Sequence, residues 1–196
     1  VNKSQIYTRS GDKGETGLVS GTRTRKSNPR IDMYGEVDEL NSRIGYVASL
    51  LQPHLEHAFA KEIYTQLTDI QSALFNLGSN LACEAEQREA WRLPNLTEKM
   101  VKQIEEKIDH MDHELPKLTN FILPGGSILA SAIHLSRTNT RKVERLLVHF
   151  QDSENEALPE LSIIYINRLS DYFFVLARYV NLKLGVAEIL WKAEKV

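Results

Sequence analysis

The sequence predicts an all-α protein, a five-helix bundle preceded by a glycine-rich N-terminal loop. Apolar residues recur at three- and four-residue steps through five separate stretches, proline or glycine punctuates their ends, and strand-like alternation is almost lacking. A length of 196 residues suffices for one sizeable core but is short for two ordinary domains. We therefore expect a single domain over 1–196, with an N-terminal segment at 1–27, a helical bundle at 28–185 and a tail at 186–196.

The N-terminal segment sets Gly11, Gly14, Gly17 and Gly21 among Thr, Ser, Arg and Lys without helical period, which reads as a loop or short extended segment. Asn28-Pro29 then supplies an N-cap with proline at the first helical position. Ile31, Tyr34, Val37, Asn41, Ile44, Ala48 and Leu51 carry the first helix to a stop at Pro53. In the second, Ile63, Leu67, Ile70, Leu74, Leu77 and Leu81 form a seam suited to shallow-angle packing. After a polar stretch at 84–94, Asn95 with Glu98 resembles a capping box. The third helix follows with Val101, Ile104, Ile108, Met111 and Leu115, closed by Pro116. Leu123-Pro124-Gly125-Gly126 is a turn opening a fourth helix at about 127–150. The fifth, about 161–184, places Ile166, Leu169, Phe173, Leu176 and Val180 on one stripe and ends at Gly185 as its C′ residue. Tyr165, Tyr172 and Tyr179 make a second stripe on it, suited either to the core or to a subunit interface.

Composition excludes several classes. Apolar residues at 42% and charged residues at 26% describe a globular chain, not a disordered one. The net charge of −2 provides no overall attraction to nucleic acid or to a membrane surface, so any anion site must be built locally. The lone Cys83 rules out an intrachain disulfide and a thiolate metal cluster. No apolar run approaches the ~18 residues of a spanning helix, and Val1-Asn2-Lys3-Ser4 does not read as a signal peptide, so a cytoplasmic location is expected. Asp109, His110, Asp112, His113 and Glu114 read as a solvated helix face; no histidine follows a glutamate by three residues, against a di-iron bundle.

Three groups of residues are candidates for chemistry. In Thr8-Arg9-Ser10-Gly11-Asp12-Lys13-Gly14-Glu15-Thr16-Gly17, three glycines let successive amides converge while Lys13 and the hydroxyls of Thr8, Ser10 and Thr16 add donors. That composition suits phosphate oxygens, although it is neither a Walker loop nor G-x-G-x-x-G, and a flexible lead-in has the same look. On the fourth helix Arg137, Arg141, Glu144 and Arg145 share one face, which serves either as a bidentate polyphosphate grip or as a solvated charged stripe. Glu144 there is placed to hold Arg141 or to accept from a ribose hydroxyl. On the fifth, Asn167, Ser170, Asp171 and Arg178 face either a ligand or water. Glu36, Asp38 and Glu39 of the first helix include a potential partner for an arginine of the fourth, and spacing does not say which.

With these residues assembled, the chain resembles the ATP:cob(I)alamin adenosyltransferases of the propanediol-utilisation type along nearly its whole length. Five blocks carry the resemblance, in order: Thr8-Arg9-Ser10-Gly11-Asp12-Lys13-Gly14; Tyr34-Gly35-Glu36-Val37-Asp38-Glu39-Leu40-Asn41; Phe121-Ile122-Leu123-Pro124-Gly125-Gly126; Arg137-Thr138-Asn139-Thr140-Arg141-Lys142-Val143-Glu144-Arg145; and Asn167-Arg168-Leu169-Ser170-Asp171-Tyr172. Lys142 stands where relatives often carry a second arginine, and Ser10 where Thr or Asn is common.

The resemblance implies transfer of the 5′-deoxyadenosyl group from ATP to cob(I)alamin, giving adenosylcobalamin and triphosphate, with Mg²⁺ as cofactor. It implies a homotrimer that binds ATP between adjacent subunits; no nucleic-acid or membrane partner is expected from the charge balance. Thr8, Arg9, Ser10, Gly11, Asp12, Lys13, Gly14, Thr16 and Lys26 would surround the triphosphate, Arg141 would contact phosphate, and Glu144 and Asn167 would lie at the nucleotide. Asp38 of one subunit would pair with Arg137 of the next, and Phe121 would stand in the cobalamin pocket and displace the lower axial ligand. The metal ligands are not assigned. A reductase and a cobalamin-dependent acceptor enzyme are the further partners such an activity admits.

Overall fold

In the computed structural model, which describes residue 4 and residues 6–192, the chain is a helical bundle with a small hairpin at its front. The outer ends of the expected N-terminal segment and tail (residues 1–3, 5 and 193–196) lie outside the described residues. The elements are β1 (Glu15–Gly17), β2 (Arg23–Arg25), α1 (Pro29–Leu51), α2 (Ala58–Leu81), α3 (Arg88–Trp91), α4 (Glu98–Glu114), α5 (Ile128–Glu154) and α6 (Ser162–Lys183). The five expected helices are α1, α2, α4, α5 and α6. The sequence did not foretell the four-residue α3, and β1 and β2 pair antiparallel where a loop or short extended segment was expected.

Local chemistry explains the boundaries. Asn28 accepts a hydrogen bond from the Arg30 amide and Pro29 follows at N1, so α1 starts as the sequence predicts. The cap of α4 is a correction. Thr97, not Asn95, accepts from the Met100 amide, because Leu96 is drawn into the core and the helix starts two residues later. Leu96 and Val101 are both buried in the core cluster, at the N′ and N4 positions of a hydrophobic staple. At the end of α6 the amide of Gly185 (φ +67°) bonds the Leu182 carbonyl and that of Val186 the Asn181 carbonyl, a Schellman stop.

The α1 helix packs on α2 and α5, α5 packs on α6, and α6 on α4. Tyr172 on α6 closes the circuit by donating to Gln66 Oε1 of α2 at 2.9 Å. Every apolar residue of the α2 seam is buried, and so are Tyr165, Tyr172 and Tyr179, which settles that stripe as core. Each such side chain contributes about 1.5–3 kcal/mol by leaving water. The buried face of α1 is broader than its apolar steps suggest. Met33, Leu40 and Val47 join it, while Ile31 and Tyr34 are only half-buried.

Buried polar groups tie the helices in register. Arg30 donates to the Leu81 carbonyl at 2.9 Å and to the Cys83 carbonyl at 3.2 Å, and is paired with Glu156. Asn41 and Gln71 exchange side chain-to-carbonyl bonds across α1 and α2 at 3.2 and 3.1 Å. In front of α5, Asn181 accepts from the Ser127 amide and hydroxyl and donates to the Gly125 carbonyl. That side chain fills the space a Cβ on Gly126 would need, and Gly126 sits at φ +109°, so both geometry and contact require glycine.

Candidate functional site

The glycine-rich segment is a structured loop carried by the hairpin. The Lys26 amide bonds the Gly14 carbonyl at 2.9 Å, the Gly14 amide the Gly11 carbonyl at 3.2 Å, and Arg23 reaches back to the Ser10 carbonyl at 2.7 Å. The Lys26 ammonium lies over Gly11, 3.4 Å from where a Cβ would stand. At its base the loop is anchored to the ends of α1 and α2: the Val19 amide bonds the Ala82 carbonyl at 2.9 Å, and the side chains of Tyr34 and Thr16 are hydrogen-bonded. Burial alone would raise the Glu84 carboxyl just past α2, but Ser20, its own backbone amide, Thr22 and Arg30 outweigh it and hold the group below its ordinary value. Thr8, Arg9, Ser10, Asp12, Lys13, Gly14 and Lys26 stay exposed, with Gly11 and Thr16 half-buried. Five basic side chains (Arg9, Lys13, Arg23, Arg25, Lys26) face two acidic ones (Asp12, Glu15) over 8–26, so the loop is locally cationic in an acidic protein.

The second group lies on α5. Arg137 is half-buried, its Nε is enclosed and has no hydrogen-bond partner, and Arg141 beside it is exposed. Burial first, then the neighbouring Arg141, press the Arg137 guanidinium below its ordinary value. Among the described residues, no ion pair neutralises either group. Such a site stores repulsion that an anion relieves. Arg145 is turned away, donating to the Arg141 carbonyl at 3.0 Å. Glu144 pairs neither with Arg141 nor with Arg145 but accepts from Asn167 Nδ2 at 2.7 Å, which brings those two site residues together across α5 and α6.

The rest of the polar set on α6 divides. Ser170 and Arg178 are buried, and Asp171 is exposed beside Arg168, so they form no common ligand face. Lys142, next to Arg141 in sequence, bonds Glu36 Oε2 at 2.7 Å while Asn139 donates to the other oxygen of the same carboxylate. The α1 carboxylate that meets α5 is thus Glu36, and its cation is a lysine. Glu39 instead binds Arg43 of its own helix.

A cavity of about 880 Å³ opens beside Arg137. Phe121, Ile122, Phe174 and Trp191 give it apolar walls, and His134 and Arg137 of α5 supply polar ones. Phe121 is 79% exposed and meets Trp191 edge-on, with centroids 6.3 Å apart. The sequence analysis named none of His134, Phe174 and Trp191; His134 lies one helical turn before Arg137, a spacing that could have found it, whereas Phe174 and Trp191 are far in sequence from Phe121 and share no period with it. Burial, and next Arg137, lower the His134 imidazole to about 4, keeping it neutral near pH 7. Arg137 therefore belongs both to the cavity and to the arginine face.

Two expected juxtapositions are not made within one chain. Asp38 is exposed and lines a separate groove of about 310 Å³ with Tyr34 and Phe75. Among the described residues, the hydrogen bonds and ion pairs of 8–26 run within the loop or to α1 and the end of α2, and none reaches Arg137 or Arg141.

Comparison with known proteins bears on this arrangement. The family model described as cobalamin adenosyltransferase matches residues 6–180. A corrinoid adenosyltransferase of Bacillus subtilis (strain 168) is 42% identical over 98% of this chain and 94% of its own length. A cobalamin adenosyltransferase of Cupriavidus metallidurans is 40% identical over 98% of this chain and 96% of its own length. A variant of a PduO-type ATP:corrinoid adenosyltransferase from Lactobacillus reuteri, solved with cobalamin and ATP, superposes with a TM-score of 0.87 at 40% identity. The match covers 96% of this chain and 100% of that one.

Proposed function

Because the chain belongs to the cobalamin adenosyltransferase family, we propose that Arg137 marks the point where its two substrates meet. The activity itself is transfer of the 5′-deoxyadenosyl group of ATP to the cobalt of cob(I)alamin, which leaves triphosphate. One observation carries the proposal: a single side chain borders both a large apolar cavity and an unneutralised pair of guanidiniums. The cavity is at the upper end of ligand-site volumes, as a corrin requires. Phe121 and Trp191 would flank the ring and the arginine face would take the phosphates, with Glu144 and Asn167 at the nucleoside.

The nucleotide site of this reading is shared between subunits of a homotrimer. The enclosed, unpartnered Nε of Arg137 calls for an acceptor, and Asp38 is an exposed carboxylate on another face of the same chain. A neighbouring copy would bring Asp38 to Arg137 and lay its loop, through Lys13, Lys26 and the amides of 10–14, along the triphosphate next to Arg141. Mg²⁺ fits this picture as an ion held mainly by phosphate and water, since the described residues hold no cluster of three or more metal-ligating side chains. Asp12 is the loop carboxylate placed to assist. When bound, the ion would supply charge neutralisation of the leaving triphosphate.

Cob(I)alamin is a strong nucleophile, so no general base is needed. The cobalt attacks the 5′ carbon in line while the loop amides, Lys13 and Arg141 hold the departing phosphate charge. Orientation of the two substrates supplies up to roughly 7–11 kcal/mol of barrier reduction. Phe121 would exclude a lower axial ligand and water from the corrin, easing reduction of Co(II) by a partner reductase before product passes to a cobalamin-dependent enzyme. We place the reaction in the cytoplasm, where ATP is abundant; no helix among the described residues is long and apolar enough to cross a membrane. An anaerobic assay with ATP, Mg²⁺ and chemically reduced cobalamin, read by corrin absorbance and phosphate products, tests the activity, for which triphosphate is expected. Release of ADP would instead indicate a phosphotransferase. Sedimentation with and without ATP tests the trimer.

A further inference from the structure

Two buried polar residues three positions apart near the end of α6 hold the two segments that build the Phe121 cavity. Asn181 secures the turn before α5, as described above. Arg178, only 3% exposed, secures the tail: its Nε donates to Glu188 Oε1 at 2.8 Å and its Nη2 lies 3.4 Å from Glu188 Oε2. The same Nη2 donates to the Pro116 carbonyl at 2.8 Å, just ahead of the segment that bears Phe121. From Glu188 the tail runs antiparallel to 121–123. The Leu123 amide bonds the Ile189 carbonyl at 2.8 Å, Ile122 bridges Leu190, and the Trp191 amide bonds the Phe121 carbonyl at 2.7 Å. These bonds set the Trp191 ring against Phe121.

Apolar burial does not explain why the tail docks. Ile189, Leu190 and Trp191 remain 61%, 44% and 50% exposed. A few backbone hydrogen bonds, each of small net worth, are set against the entropy of ordering residues 186–191. The charged, two-pronged contact to a buried guanidinium is the strongest fixed point the tail has, with 19% of the Glu188 side chain exposed. We propose that Arg178 is a positioning residue for the corrinoid substrate: by gripping Glu188 it docks the tail and makes Trp191 a wall of the cavity. The proposal rests on the reading that this cavity takes the corrin.

The test uses the full chain carrying Trp91→Phe, which leaves Trp191 as the only tryptophan. Glu188→Ala removes the grip while Arg178 keeps its bond to Pro116. The KM for cob(I)alamin is expected to rise on the order of tenfold with the KM for ATP held within about twofold. Acrylamide quenching of Trp191 is expected to increase, and Glu188→Asp, which restores the charge, to recover part of both effects. An unchanged corrinoid KM in Glu188→Ala, in a protein whose Phe121→Ala variant does raise it, overturns the role of Arg178 alone. If neither substitution moves the corrinoid KM, the placement of the corrin in this cavity fails, and the proposal with it.

Discussion

His134 offers the most quantitative test of the cavity. The ring is 5% exposed on the wall beside Arg137, and its enclosed Nδ1 has no hydrogen-bond partner. Protonation would desolvate a charge and place it next to an existing cation, with the tail's Glu188 offering only partial relief. The imidazole accordingly titrates at about 4 in the folded chain, against an ordinary 6.5. Because the folded value is the lower one, the unfolded chain binds the extra proton first. Stability from this residue is complete above about pH 6.5 and drains away as the pH falls towards about 4. Between pH 7.5 and pH 5.0 the linkage amounts to about 2 kcal/mol. His134→Gln, neutral throughout, should lack that loss whatever its own baseline stability. Urea denaturation of both proteins at the two pH values, at one fixed protein concentration, measures the difference of differences. Equal losses for the two proteins, within about 0.5 kcal/mol, would refute a buried neutral imidazole.

The remaining predictions address the nucleotide and corrin contacts. Arg141→Ala should lower kcat on the order of 10²-fold, as for the loss of one charge-stabilising donor, and near-normal turnover would remove Arg141 from the site. Phe121→Ala should slow the reaction more when Co(II)alamin has to be reduced on the protein than when Co(I) is supplied, and equal losses in the two assays would count against its axial role. Asp38→Asn should weaken ATP binding or trimer assembly; sedimentation and nucleotide titration that both match the parent protein would exclude the pairing with Arg137.

How far the sequence could be read depended on how local the cause was. The α2 seam needs only helical period and appears as expected, and so do the Asn28 cap and the Gly185 stop. The α4 cap was misread because Asn95 and Thr97 are both competent caps, and only the burial of Leu96 decides between them. Arg178 and Ser170 read as facing either a ligand or water because polarity on a helix suggests exposure, yet both lie inside, Arg178 with Glu188 as its partner. Trp191 and Phe121 are 70 positions apart and meet through a tail whose sequence has no period to announce it.

The cationic segment 137–145 of α5 shows how the fold selects among similar charges. Arg141 and Lys142 are adjacent in sequence, so about 100° of helix separates them. Lys142 falls towards α1, where Glu36 meets it at 2.7 Å and its charge is consumed inside the subunit. Arg141 falls on the side α1 does not cover, one helical turn from Arg137, and no acidic side chain among the described residues pairs with either. Two adjacent cations therefore meet different fates. Lys142 is a helix-to-helix tie already satisfied. Arg141 stays exposed one turn from Arg137, which itself lines the apolar cavity, and that is the geometry on which the proposed phosphate grip rests.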